Sequence, residues 1–269
     1  MPFVVALLTP FDPRGRVDLA RLRAHTLWLQ TQGADGFAST GWSGEFLYLS
    51  DREREAIHRT VLESAMGKPV FPCTWDPSLS TATFLTEAAL QQGAKGVLMP
   101  PPLLYDLDDD AIMRWYESLA KAGPVLAYHH PRAGTPVTLG LAARLLEAGL
   151  VQGIVDQSGD PWRVARLVQA HPGRVWSASD AVLSRARTMP DIAGHISEVA
   201  NIWPSFARRV WDGEDHLDAT LLERVVGLES AGGLRAMKSL AGFGCRPPLV
   251  APPDDHLMDL APAESPSRR

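Results

Sequence analysis

The segment VQGIVDQSGDPWRVARLVQA, residues 151–170, contains one unit of the pattern that decides the fold. Residues 152–155 form a short and mostly apolar run, which is typical of a parallel strand that is buried on both faces. A polar loop follows, and the amphipathic stretch 161–170 is typical of a helix. The segment therefore predicts a strand, a loop and a helix.

The same unit recurs along the chain. Short apolar runs, which we interpret as strands, lie at residues 3–8, 36–40, 69–73, 96–99, 124–128, 152–155, 174–177 and 195–199. Helical patterns between them cover residues 18–32, 51–65, 80–92, 108–121, 138–148 and 161–170, and several begin at Ser, Thr or Asp, the preferred N-cap residues. Eight strands that alternate with helices predict an α/β protein with a single (β/α)8 TIM barrel.

The pattern changes after the eighth apolar run. Residues 204–211, 217–230 and 234–242 are candidate helices, whereas the segment after residue 246 is rich in proline and lacks an apolar period. We therefore predict a barrel over residues 1–203, a C-terminal helical extension over residues 204–250 and a frayed tail over residues 251–269.

Charge and cysteine content narrow the class of protein. The chain has 269 residues and a net charge of −5, which argues against a broadly basic surface for nucleic acid. Its two cysteines are far apart, so neither a disulfide framework nor a zinc site is indicated. The apolar start at residues 3–8 is too short for a membrane span. We expect a cytoplasmic protein that binds neither nucleic acid nor membrane.

The reactive groups of such a barrel lie at the C-terminal ends of its strands. Four segments at these ends are TPF at residues 9–11, GWSGE at residues 41–45, YHHPRAG at residues 128–134 and GIVDQSGD at residues 153–160. In order and spacing they resemble the dihydrodipicolinate synthase / N-acetylneuraminate lyase family. The resemblance covers residues 3–250 and implies a class I aldolase-like lyase.

The resemblance also implies roles for individual residues. Members of the family form an imine between a keto acid and a strand-six lysine, and the matching position here is Val155, which cannot form an imine. Tyr128 matches the tyrosine that transfers protons, and Ser43 matches the hydroxyl residue that holds the keto-acid carboxylate. Trp42 replaces the hydroxyl residue that relays protons to the tyrosine.

Further family positions are altered. His129 replaces an asparagine after strand five, and Arg132 matches a substrate-binding arginine with an offset of one residue. Paired tyrosines that commonly follow strand four, one of which reaches across a subunit contact, fall at Leu103 and Leu104. The resemblance still implies a homodimer or a homotetramer.

Glu198 is an unusual acid near the mouth of the predicted barrel. By strand alternation it shares an inward face with Ile196, so it could act as a general base with a pKa raised by burial. The alternative is an ion pair with an arginine at the rim. Tyr128 could likewise be a buried tyrosine whose hydroxyl is satisfied by a backbone carbonyl. His129 and His130 point to opposite sides, and the sequence does not decide which of them faces the pocket.

Metal and cofactor sites are not indicated. The chain has no HxH or HExxH spacing, and its glycine pairs lack the strand-to-helix context of a phosphate cradle, so we predict neither a metal nor a cofactor. The four lysines, Lys68, Lys95, Lys121 and Lys238, are each predicted to be solvated charges outside the pocket.

Two functional hypotheses follow. In the first, the chain is a lyase or aldolase-like member of the family that binds a small keto-acid-like ligand in the barrel mouth and forms no Schiff base. In the second, it is a catalytically silent member that binds a small molecule or a partner subunit. The sequence alone leaves open whether the protein is an enzyme.

Overall fold

The computed structural model describes residues 1–103, 106–132 and 134–253, together with Leu257 and Leu260. Its centre is one sheet of eight parallel strands in the order β3-β2-β1-β8-β7-β6-β5-β4. A parallel bridge between Cys73 and Leu98 links the two ends of this order. The predicted (β/α)8 TIM barrel is therefore confirmed.

All eight predicted strands are present. They are β1 (Phe3–Ala6), β2 (Gly36–Ser39), β3 (Val70–Pro72), β4 (Val97–Met99), β5 (Val125–His129), β6 (Gly153–Asp156), β7 (Val175–Ser177) and β8 (Gly194–Ser197). Nearly every strand residue is buried, because helices cover the outside of the sheet and side chains fill its centre.

Helices follow the strands as predicted. They are α1 (Leu19–Thr31), α2 (Asp51–Ser64), α3 (Leu79–Gln91), α4 (Asp109–Ala120), α5 (Leu139–Glu147), α6 (Pro161–Ala170), α7 (Leu183–Ala186), α8 (Pro204–Trp211), α9 (Asp218–Ser230) and α10 (Leu234–Leu240). Helices α1 to α6 begin after an Asp, Ser or Thr whose side chain accepts a hydrogen bond from a backbone N–H of the first turn. In the described residues, no helix is long and apolar enough to cross a membrane.

Some local features differ from the sequence pattern, among them the ends of β1 at Ala6 and of α10 at Leu240, each two residues earlier than predicted. Helix α7 has four residues and was not predicted, because a segment so short shows no helical period. Strand β8 ends at Ser197, two residues earlier than predicted, since a 3₁₀ turn at Val199–Asn201 follows directly. The division into barrel, extension and tail stays a prediction, and most of residues 251–269 lie outside the described residues.

The prediction that Lys238 is a solvated charge is wrong. Its side chain is fully buried in helix α10, where the ammonium forms an ion pair with Glu45 and lies 4.1 Å from the centre of the Phe11 ring. Burial lowers the pKa of Lys238, and the charge of Glu45 opposes that shift. The pair connects the C-terminal helices to the loop after β2.

Removing one partner of this buried pair is expected to be costly. Lys238→Met leaves the Glu45 carboxylate without its counterion, and we expect the free energy of unfolding to fall by about 3 kcal/mol or more in urea titrations. Adding Glu45→Gln removes the stranded charge, so the double variant should recover part of the loss. A single variant within about 0.5 kcal/mol of the parent protein would contradict the buried pair.

Candidate active site

Two adjoining cavities open at the C-terminal ends of the strands. The outer cavity has a volume of about 630 Å³ and extends to helices α9 and α10. The inner cavity, of about 20 Å³, lies beneath it at the centre of the barrel. The residues that line both cavities are Trp42, Ser43, Gln157, Ala178 and Glu198.

The loop after β2 places Trp42 and Ser43 between the cavities. Thr40 and Glu45 have positive φ angles of 50° and 59°, which non-glycine residues rarely adopt. Gly44 fits this tight loop because a Cβ atom there would lie 2.9 Å from the backbone of Thr40. The loop is therefore held in one conformation by local sterics and by the ion pair of Glu45 with Lys238.

An aromatic stack forms one wall of the site. The Trp42 ring stacks on His130, with 4.1 Å between ring centroids and 21° between ring planes. His130 also contacts the edge of Tyr128 and accepts a hydrogen bond at Nδ1 from the backbone N–H of Arg132. Burial lowers the pKa of His130 to about 4, so its ring is neutral at pH 7.

His130, rather than His129, faces the cavity. His129 ends strand β5 on the opposite side and is absent from the lining of both cavities. It lies instead near Asp156 and Arg163, which influence its pKa after the larger effect of burial. Asp156 and Arg163 form an ion pair at 2.6 Å outside the barrel centre.

Polar side chains meet at the boundary between the cavities. The Tyr128 hydroxyl donates to the Oε1 atom of Gln157. The side chains of Gln157 and Ser43 also favour the charged form of Glu198, while the Ser43 hydroxyl donates to the backbone carbonyl of Ala6 at 3.4 Å. Because Gln157 accepts from Tyr128 through its oxygen, its NH₂ group is the part that is able to donate to Glu198. Gln157 therefore stands between a phenol and a carboxyl group.

This environment changes the ionisation of both Glu198 and Tyr128. Burial, and then the charge of Asp180, raise the pKa of Glu198 to about 7, although the polar side chains of Gln157 and Ser43 oppose the shift. Burial, and then the charge of Glu198, raise the pKa of Tyr128 well above its usual value, so the phenol stays protonated. Glu198 can therefore both accept and donate a proton near neutral pH.

Asp180 fixes the backbone that carries Glu198. Its carboxylate accepts hydrogen bonds from the backbone N–H groups of Glu198 and Val199, at 2.8 and 3.0 Å, and from the Ser197 hydroxyl at 2.6 Å. The His195 ring approaches the same carboxylate at 3.2 Å. These contacts hold Glu198 in place just after the end of β8.

The other site residues predicted from the sequence lie at different depths of the two cavities, and some lie outside them. Val155 and Ile196 line the inner cavity together with Tyr128, whereas Arg132 lines only the outer cavity, at its exposed rim. Leu103 lies in neither lining, and Leu104 is outside the described residues. In the described part of the chain, no group of three or more His, Cys, Asp and Glu side chains could hold a metal ion.

Gln157 is a site residue that the sequence reasoning missed. It follows Val155 by two positions, so strand alternation continued past the end of β6 places both side chains on the inward side. That spacing was the signal available in the sequence.

The raised pKa of Glu198 predicts a change in stability with pH. Because the folded pKa lies above that of the unfolded chain, stability should fall as pH rises from about 4.5 to about 7. Glu198→Gln removes this penalty and should raise the free energy of unfolding by up to about 3 kcal/mol at pH 8, with little change at pH 4. Urea titrations at both pH values measure this, with the exposed Glu87→Gln as matched control. No gain at pH 8 would contradict the raised pKa.

Comparison with known proteins places this site in a family. A sequence model described as Dihydrodipicolinate synthetase family matches residues 2–226. An uncharacterized DapA-like lyase of Halobacterium salinarum is 30% identical, over 94% of this chain and 89% of the relative. A 4-hydroxy-tetrahydrodipicolinate synthase of Thiobacillus denitrificans is 32% identical, over 75% of this chain and 70% of the relative.

Solved structures agree in fold. Dihydrodipicolinate synthase from Acinetobacter baumannii complexed with pyruvate superposes with a TM-score of 0.84 at 25% identity, over 96% of each chain. A catalytic lysine mutant of the Ruminococcus gnavus sialic acid aldolase gives a TM-score of 0.87 at 19% identity, over 96% of this chain and 93% of that one, and so shows the fold alone. With the matched family model and the relatives above, these similarities establish that the chain belongs to the dihydrodipicolinate synthetase family.

Proposed function

We propose that this protein is a lyase that acts on a small keto acid in the outer cavity without forming an imine. The proposal rests on the position of Glu198 at the boundary between the two cavities. Burial is the main cause that raises the pKa of its carboxyl group to about 7. A group that titrates near the working pH is an effective proton-transfer catalyst. In this role Glu198 takes a proton from the carbon next to the keto group.

Two positively charged side chains in the lining of the outer cavity support the choice of a keto acid as the ligand. Arg132 and Arg235 line the outer cavity and can attract a carboxylate. The A. baumannii relative is described as complexed with pyruvate. Pyruvate is therefore a suitable probe.

Lysine positions support a mechanism without an imine. All four lysines lie within the described residues, and none is among those that line either cavity. Lys238 is held by Glu45, a residue of the loop that carries Trp42 and Ser43. Val155 stands on β6 at the inner cavity, where an alkyl side chain offers no nucleophile.

Trapping with borohydride tests the absence of an imine. The protein is incubated with pyruvate and sodium borohydride and then analysed by mass spectrometry. We expect no pyruvate adduct on any lysine, because no amine reaches the cavity floor. An adduct on a lysine would overturn this part of the proposal.

Proton exchange tests the role of Glu198. We expect the protein to accelerate exchange of the pyruvate methyl protons in D₂O, followed by ¹H NMR, and Glu198→Gln to reduce the rate by roughly a hundredfold. Glu87→Gln, at an exposed position of α3, should retain the parent rate.

The result of the proton-exchange experiment also distinguishes a lyase from a catalytically silent family member. Acceleration that is lost in Glu198→Gln supports catalysis. A rate equal to that of buffer, together with pyruvate binding, would instead favour the catalytically silent family member. Assembly as a homodimer or homotetramer and a cytoplasmic location are part of the same proposal and rest on the family resemblance.

A further inference from the structure

We propose that the inner cavity is the binding site for a single water molecule and that this water is the co-substrate or product of the reaction. The protein would then be a hydro-lyase that adds water to, or removes it from, a keto acid held in the outer cavity. The inference rests on the proposed function and names its reaction class.

The size of the inner cavity suits one water. A water molecule needs about 10–15 Å³ of free space and two to four polar partners. The cavity has about 20 Å³, which is too small for a keto acid with several heavy atoms. Its lining supplies the polar partners as well: Ser43, Tyr128, Gln157 and Glu198.

The rest of the lining isolates that water. Ala6, Ala38, Leu98, Val155, Ala178 and Ile196 form its apolar walls. The Trp42 ring, held by its stack on His130, borders both this space and the outer cavity, and Ser43, Gln157 and Glu198 also line both, so a water here adjoins a ligand in the outer cavity. A water enclosed in this way keeps a fixed orientation toward the carboxyl of Glu198, which is what a reacting water requires.

The reaction balances with this one carboxyl group. In the elimination direction, the Glu198 carboxylate takes the C3 proton of a 4-hydroxy-2-keto acid and forms an enolate. The C3 electron pair then forms the C3–C4 double bond, the C4–O bond breaks, and the hydroxyl leaves as water with the proton that Glu198 returns. The water enters the inner cavity, and Glu198 is again a carboxylate. Hydration is the reverse, and neither direction needs an oxidant or a reductant.

The same geometry links this reaction to the pyruvate test. Pyruvate has C3 protons but no C4 and therefore no leaving hydroxyl group, so it can undergo only the first step. Exchange of its methyl protons therefore reports on Glu198, whereas water addition reports on Glu198 and the inner cavity together. The two readouts separate failure of the proposed function from failure of this inference.

The experiment uses 2-oxo-3-pentenoate and 4-hydroxy-2-oxopentanoate as probes. We expect the protein to interconvert them, measured as a change in the ultraviolet absorption of the conjugated enone, and to place ¹⁸O from labelled water on C4, measured by mass spectrometry. Release of pyruvate from 4-hydroxy-2-oxopentanoate, detected with lactate dehydrogenase, would show carbon–carbon cleavage and overturn the inference. Absence of both reactions, with pyruvate exchange intact, would also overturn it.

Two variants at Val155 test the water site itself. Val155→Ile adds a methylene to the inner cavity and should lower hydration at least tenfold, and more than it lowers pyruvate exchange. Val155→Ala enlarges the cavity, keeps room for water and should lower hydration less than Val155→Ile. Val226→Ile, the same change at an exposed position of α9, is the matched control and should behave as the parent protein.

Crystal structures complete the test. At a resolution that shows ordered water, we expect one water within hydrogen-bond distance of Glu198 in the parent protein and none in Val155→Ile. An inner cavity without water in the parent protein would overturn the inference, even if Val155→Ile lost activity.

Discussion

The site depends on the buried carboxyl of Glu198, beside the Gln157 side chain that accepts a hydrogen bond from Tyr128. Burial makes the charged carboxylate costly, and the nearby charge of Asp180 adds to that cost. The polar side chains of Gln157 and Ser43 offset only part of it. The balance leaves Glu198 able to change its protonation state near neutral pH, which a fully solvated glutamate cannot do.

The surrounding fold maintains this balance by fixing both sides of the carboxyl. On one side, Asp180 holds the backbone of Glu198 and Val199. On the other side, the loop of Trp42 and Ser43 is constrained by positive φ angles at Thr40 and Glu45. The ion pair of Glu45 with Lys238 attaches that loop to α10. The C-terminal helices thus do more than cover the barrel, because they hold the floor of the outer cavity in position.

Much of the fold follows from the sequence because each strand and helix has a local pattern. Buried parallel strands are short apolar runs, and most helices begin at a capping side chain, so both kinds of element can be recognised in the sequence. The four-residue helix α7 has no such pattern. The burial of Lys238 was missed for another reason: its partner Glu45 is distant in sequence, and only the folded chain brings them together. The positions of His130 and Gln157, two residues after Tyr128 and Val155, agree with strand alternation once the inward face is known, whereas the sizes of the cavities depend on packing across all eight strands.

The proposed proton transfer requires Glu198 to titrate near neutral pH, and ¹³C NMR of the glutamate side-chain carboxyl carbons measures that titration. In protein labelled at glutamate, the Glu198 signal is assigned by its absence from Glu198→Gln and followed from pH 3 to pH 9. We expect a midpoint at about pH 7, because burial raises the pKa of this carboxyl group. A midpoint close to the ordinary glutamate value of about 4.3 would rule out this role for Glu198.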